Sequence, residues 1–127
     1  MHIMTTSSNL TAGQKFYQEQ IAALEAHDID GLMEQYDDAA VLIGFDFTIK
    51  GRQALRDHFV GYLARLGSLK VVSTDRFMET EDSIFFEATV HTSLAEAKVY
   101  DVFILRDGKA THQFTGVISV SPFSFPT

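Results

Sequence analysis

From Leu69 to Val120 the chain reads as four long strand-patterned segments joined by very short connections. The segments run about 69–78, 84–92, 97–106 and 110–120, with Glu81-Asp82, Ala95-Glu96 and Asp107-Gly108 between them. Connections of that length join antiparallel neighbours, because a parallel crossover needs a dozen or more residues. The second half is therefore expected to be a meander, and whatever precedes it must cover its apolar face. In the third segment Tyr100, Val102 and Ile104 point one way, and Val99, Asp101, Phe103 and Leu105 the other. Both sets are largely apolar, whereas an antiparallel sheet ordinarily keeps one face wet. The second greasy face also needs a cover, and a second copy of the chain is the expected one.

The first half supplies helices. Thr11-Ala12-Gly13-Gln14 has the form of a capping box, and Phe16, Tyr17, Ile21 and Leu24 then recur at helical spacing up to about His27. Asp28-Ile29-Asp30-Gly31 breaks this helix. A short second one is expected from Asp30 to Tyr36, with Leu32, Met33 and Tyr36 inward. Asp37-Asp38 reads as a turn, Ala40–Ile43 as a short buried strand, and 44–49 as a hairpin-type excursion. Leu55, His58, Phe59, Tyr62, Leu63 and Leu66 give a third, amphipathic helix over 52–66, with Gly67 placed to end it. Residues 1–10 read as a flexible lead-in, 11–121 as one domain and 122–127 as a tail. Pro122 and Pro126 stop the sheet near Val120, and Phe123 and Phe125 are expected to dock on the body or on a partner.

Composition narrows the function. The 127 residues are 46% hydrophobic, enough for one core without metal or disulfide staples. There is no Cys, so thiol catalysis and Cys-ligated zinc are excluded. The net charge is −7 and Lys50, Arg52, Arg56 and Arg65 are scattered, so no basic face exists for nucleic acid. The first ten residues lack the pattern of a signal peptide, and no apolar run is long enough to span a membrane; a cytoplasmic location is expected. The five His, at 2, 27, 58, 91 and 112, show no metal-ligand spacing, and no phosphate loop or dinucleotide fingerprint is present. No metal or cofactor is expected.

The stretch Ala22–Leu32 followed by Tyr36-Asp37-Asp38-Ala39-Ala40-Val41, then Gly51-Arg52-Gln53-Ala54-Leu55-Arg56 and Asp107-Gly108-Lys109, resembles the nuclear-transport-factor-2-like superfamily over roughly residues 12–120. The resemblance implies an α+β, cystatin-like cone: three N-terminal helices packed on a strongly curved antiparallel sheet, around a pocket for a small apolar or partly polar organic ligand. With the second greasy face of the sheet to cover, the expected unit is a homodimer. The superfamily holds ketosteroid isomerases, SnoaL-like cyclases and non-catalytic assembly domains, so fold alone leaves the activity open. Set against ketosteroid isomerases through Asp37-Asp38-Ala39, Ile43 stands where their base carboxylate does and Gln20 near their oxyanion-hole tyrosine. Asp101 matches their hydrogen-bond-donating acid. Against SnoaL-like cyclases, the acidic-His-aromatic run becomes His112-Gln113-Phe114, with the His one place early.

Asp101 is the leading catalytic candidate, since a buried carboxyl must be hydrogen-bonded or protonated. His112 and Asp46 are the other two; Asp46 sits in the excursion near the lost base position. Tyr17, Gln20, Tyr36, Phe59, Tyr62, Phe103, Gln113 and Phe114 are the expected ligand-binding residues. Alternation alone leaves open whether His112 and Phe114 or Gln113 and Thr115 face the pocket. His58 is expected in the core, and His91 outside or at the dimer face.

Overall fold

The computed structural model describes residues 9–123. Of the expected lead-in and tail, residues 1–8 and 124–127, Phe125 included, lie outside the described residues.

Among the described residues three helices and six strands follow in order. Helix α1 (Ala12–Ala26) starts on Thr11, whose hydroxyl accepts from Gln14 N while the Gln14 side chain accepts from Thr11 N. Both orphan donors are met, as the capping box requires. It ends on His27 in the left-handed region, φ 53. Helix α2 (Ile29–Met33) is capped by Asp28, which accepts from Gly31 N. It is shorter than the sequence suggested: Tyr36 is not on it but opens strand β1 (Tyr36–Ile43). Asp37-Asp38 therefore lies within that strand's irregular start rather than in a separate turn. Strand β2 (Thr48–Lys50) folds back on β1, and helix α3 (Arg52–Leu66) ends on Gly67, φ 71, whose N–H reaches Leu63 O.

The meander follows as β3 (Leu69–Glu79), β4 (Ser83–Thr92), β5 (Ala95–Arg106) and β6 (Lys109–Pro122). Two boundaries move. Ser93-Leu94, not Ala95-Glu96, connects β4 to β5, and pairing continues to Pro122 rather than stopping at Val120. Pro122 ends the ladder, so its missing N–H costs nothing further along. Asp107 (φ 53) and Gly108 (φ 79) make the two-residue turn with both positions left-handed, the geometry that suits strand twist.

The sheet order is β2-β1-β6-β5-β4-β3. Every pair is antiparallel except β1 with β6, which are parallel. No hairpin joins those two strands, so no turn dictates their direction. Inward side chains meet the helices in an aromatic core: Phe16 of α1 lies edge-on to Phe103 at 4.9 Å, and Tyr17 packs on Phe86 at 4.4 Å. Among the described residues no helix is long and apolar enough to cross a membrane.

Candidate functional site

The helices cover the sheet incompletely. Between α1, α3, the β1–β2 loop and the inner face of the sheet lies a cavity of about 380 Å³. Leu42, Phe59, Phe86, Ala88 and Val99 give it apolar walls. Its polar groups are few, as in sites that orient a small molecule by one end.

Strand register sets the floor. Asp101 of β5 pairs with Phe86 of β4 on one side and Thr115 of β6 on the other, and Phe103 pairs with Gln113. Gln113 and Thr115 line the cavity, which settles the face of β6 that alternation had left open. Asp101 is largely buried and lines the cavity. Burial pushes its carboxyl up to about 7, against the opposing pull of the Gln113 amide and the Thr115 hydroxyl. No charged neighbour contributes, so near neutrality the group is divided between acid and carboxylate.

Behind the floor stand two buried polar runs. Gln113 Nε2 donates to Asp101 Oδ1 at 3.0 Å, and the Tyr36 hydroxyl donates to Gln113 Oε1 at 2.5 Å. Gln20 Nε2 donates to Gln35 Oε1 at 2.6 Å, and Gln35 Nε2 to Phe16 O at 2.9 Å. Tyr36 is fully buried, and its hydroxyl is held far above the ordinary range by burial and by Asp101. Tyr17 shares a hydrogen bond with Thr74, and its hydroxyl too is pushed up by burial.

The mouth is aromatic and mixed in charge. His58, Phe47 and Tyr62 stack beside one another, His58 and Tyr62 with 13° between planes. His58 is thus at the cavity and not in the core as expected; burial first and then the Arg65 cation hold its ring below its ordinary pKa. Asp46 is exposed on the β1–β2 loop and lines the mouth, where Arg65 of α3 also lies. Phe45 of the same loop lies across Gly116; a Cβ there would come within 2.7 Å of its ring and 2.4 Å of Tyr100.

Of the expected site residues, Asp101, Asp46, Tyr17, Gln20, Phe59, Tyr62 and Gln113 come together around the cavity. Four do not. Phe103 is core, wedged among Phe16, Tyr36 and Phe86, and Tyr36 stands one layer behind Gln113. His112 is exposed and stacks on Phe114, both on the outer face of the sheet, because the register of β6 turns them away. Ile43, paired with Phe114, shares that face, while its neighbour Leu42 lines the cavity. His91 is bound to Glu96 at 2.8 Å with Phe123 edge-on to its ring. Sequence reasoning did not single out Phe47 or Arg65, and it left Thr115 on one of two alternative faces. Arg65 is one helical heptad after His58, which would have found it had His58 been placed at the cavity.

Solved structures share this architecture. A SnoaL-like protein of unknown function from Burkholderia thailandensis superposes with a TM-score of 0.75 at 16% identity, over 87% of this chain and 99% of that one. An NTF2-like protein from Anabaena variabilis gives 0.74 at 14% identity, over 94% and 96%. TerC, co-crystallised with polyporic acid, gives 0.71 at 16% identity, over 83% and 90%. At these identities the likeness speaks to fold. No curated protein matches the sequence. The SnoaL-like domain family matches residues 17–113, most of the chain and the whole of the floor up to Gln113. The chain belongs to the SnoaL-like domain family, and it shares its fold with solved NTF2-like proteins.

Proposed function

We propose that this protein binds a small, largely apolar organic molecule by one polar end. The ligand's hydrophobic body lies between α1 and α3, and an acceptor oxygen lies against Asp101. One observation carries the reading: a single buried carboxyl, raised to about 7, at the floor of an otherwise greasy cavity. A protonated carboxyl donates to a carbonyl or enolic oxygen, and dry surroundings strengthen that bond. TerC, the relative crystallised with polyporic acid, supports an oxygenated ring compound as the class.

Calorimetry with 1-tetralone and tetralin, which share a carbon skeleton and differ by the ketone, tests this. The ketone should bind about tenfold tighter, the worth of one good hydrogen bond in a dry site, and Asp101→Leu should abolish the difference. Equal affinities in the unaltered protein would overturn the reading.

A second reading, cofactor-independent acid–base catalysis of the isomerase, cyclase or dehydratase kind, is favoured by the same carboxyl. Asp46 is the only other carboxylate among the described lining residues. As a base at the mouth it would remove a proton α to the carbonyl while Asp101 holds the oxygen. Exchange of the tetralone α-protons in deuterated water, followed by NMR, separates the two readings. Acceleration lost in Asp46→Asn supports catalysis; its absence leaves a binding domain.

We further propose that the working unit is a homodimer in the cytoplasm. Support comes from the outer face, where Met78, Phe85, Val102, Phe114 and Ile43 are successive partners in one apolar row across five strands. Such a row calls for a cover.

A further inference from the structure

Asp101 has two oxygens, and only one can hold the proton when the group is neutral. Behind it the buried Tyr36 hydroxyl meets the Gln113 side-chain amide. Among the described residues Gln113 Oε1 is the one side-chain hydrogen-bond partner of that hydroxyl, so a buried Tyr36 proton has nowhere else to go and is given to it. Gln113 is left with Nε2 facing Asp101 Oδ1. The amide and the hydroxyl are buried, and no buried side-chain N or O among the described residues lacks a partner, so reversing the amide would orphan its neighbours.

We propose that Tyr36, acting through Gln113, reserves Asp101 Oδ1 as an acceptor and so assigns the carboxyl proton to Oδ2. Tyr36, which does not line the cavity, is a positioning residue for the acid that does. The assignment rests on the reading of Asp101 as the acid of the cavity. Its consequence is that Oδ2 is the oxygen that offers a proton to a ligand. The titratable groups that feel Asp101 are Tyr17 of α1, Tyr36 of β1 and Tyr62 of α3. All three are raised above their ordinary range, so none changes charge near neutrality.

NMR of the full chain tests the relay. Carboxyl 13C signals, with Asp101→Asn to assign the residue, give the Asp101 midpoint, and 15N–1H spectra follow the Gln113 side-chain amide. The Gln113 Nε2 protons should titrate with the same midpoint as Asp101, because they face the oxygen that gains charge. In Tyr36→Phe the Gln113 amide is free to turn and accept from the protonated acid. The acid form is then favoured and the midpoint rises by roughly half a unit or more. A merely structural role would lower thermal stability and leave the midpoint where it was. A normal Asp101 titration that the Gln113 amide does not mirror overturns the relay alone, and needs no variant to fold. Absence of any Asp101 titration between the ordinary carboxylate range and alkaline pH overturns the reading of Asp101 as well, and the relay with it.

Discussion

Asp101 makes the protein's stability depend on pH in a direction opposite to that of most carboxylates. Its carboxyl rises from 3.8 to about 7 on folding, so the folded state holds more proton than the unfolded one between those values. Its contribution to stability therefore falls as pH rises through that interval and stays low above it. A shift of this size corresponds to something on the order of 4 kcal/mol. Asp101→Asn cannot ionise and escapes the loss. Thermal melts of both proteins from pH 5 to 8.5 should show the unaltered protein losing stability relative to Asp101→Asn as pH rises; parallel profiles would mean that the carboxyl is solvated. The sequence signalled this residue because a lone carboxylate stood in an apolar alternation. It offered Tyr36 as a pocket residue on a helix, and could not show that it opens a strand and stands behind Gln113, or that Gln20 and Gln35 meet across the fold.

At the scale of elements, the join between α1 and β3 is the most exposed to test. Glu79, at the end of β3, accepts from the Thr11 hydroxyl at 2.6 Å and from Gly13 N at 3.0 Å. A carboxylate there meets both the unsatisfied first-turn amides and the positive end of α1. Glu79→Ala should cost about 1–2 kcal/mol in urea denaturation, whereas Glu81→Ala in the adjacent turn should be near neutral. The bounds of α1 and α3 and the order of the meander were legible because capping residues, helical spacing and short turns are local signals. The face of β6 was not, and the reason is a register slip. The Asp107-Gly108 turn pairs Arg106 with Lys109, a register that continued unbroken would set Asp101 against Phe114. Between Ile104 and Leu105 the pairing shifts, with Thr111 as the extra residue, and Asp101 meets Thr115 instead. One residue of slip exchanges the two faces of a strand, so His112 and Phe114 go outward and Gln113 and Thr115 inward.

For the whole molecule, the proposed dimer predicts that one charge in the outer row is decisive. Phe114→Glu puts a carboxylate in the middle of that row without touching the cavity side of β6. Sedimentation velocity at micromolar concentration should give a dimer for the unaltered protein and a monomer for Phe114→Glu, with the Asp101 titration kept; a monomer in both cases would refute the arrangement. The sheet order carries a different consequence, one of timing. Strand β6 lies between β1 and β5, although it follows both in the chain. Until it inserts, the β1–β2 hairpin has no neighbour in the sheet and Gln113 has not reached either Asp101 or Tyr36. Contacts between such distant parts of a chain form late and slowly. The β5–β6 hairpin is local and the β1–β6 pairing is the long-range one, so the hollow is predicted to be complete only once β6 has met β1.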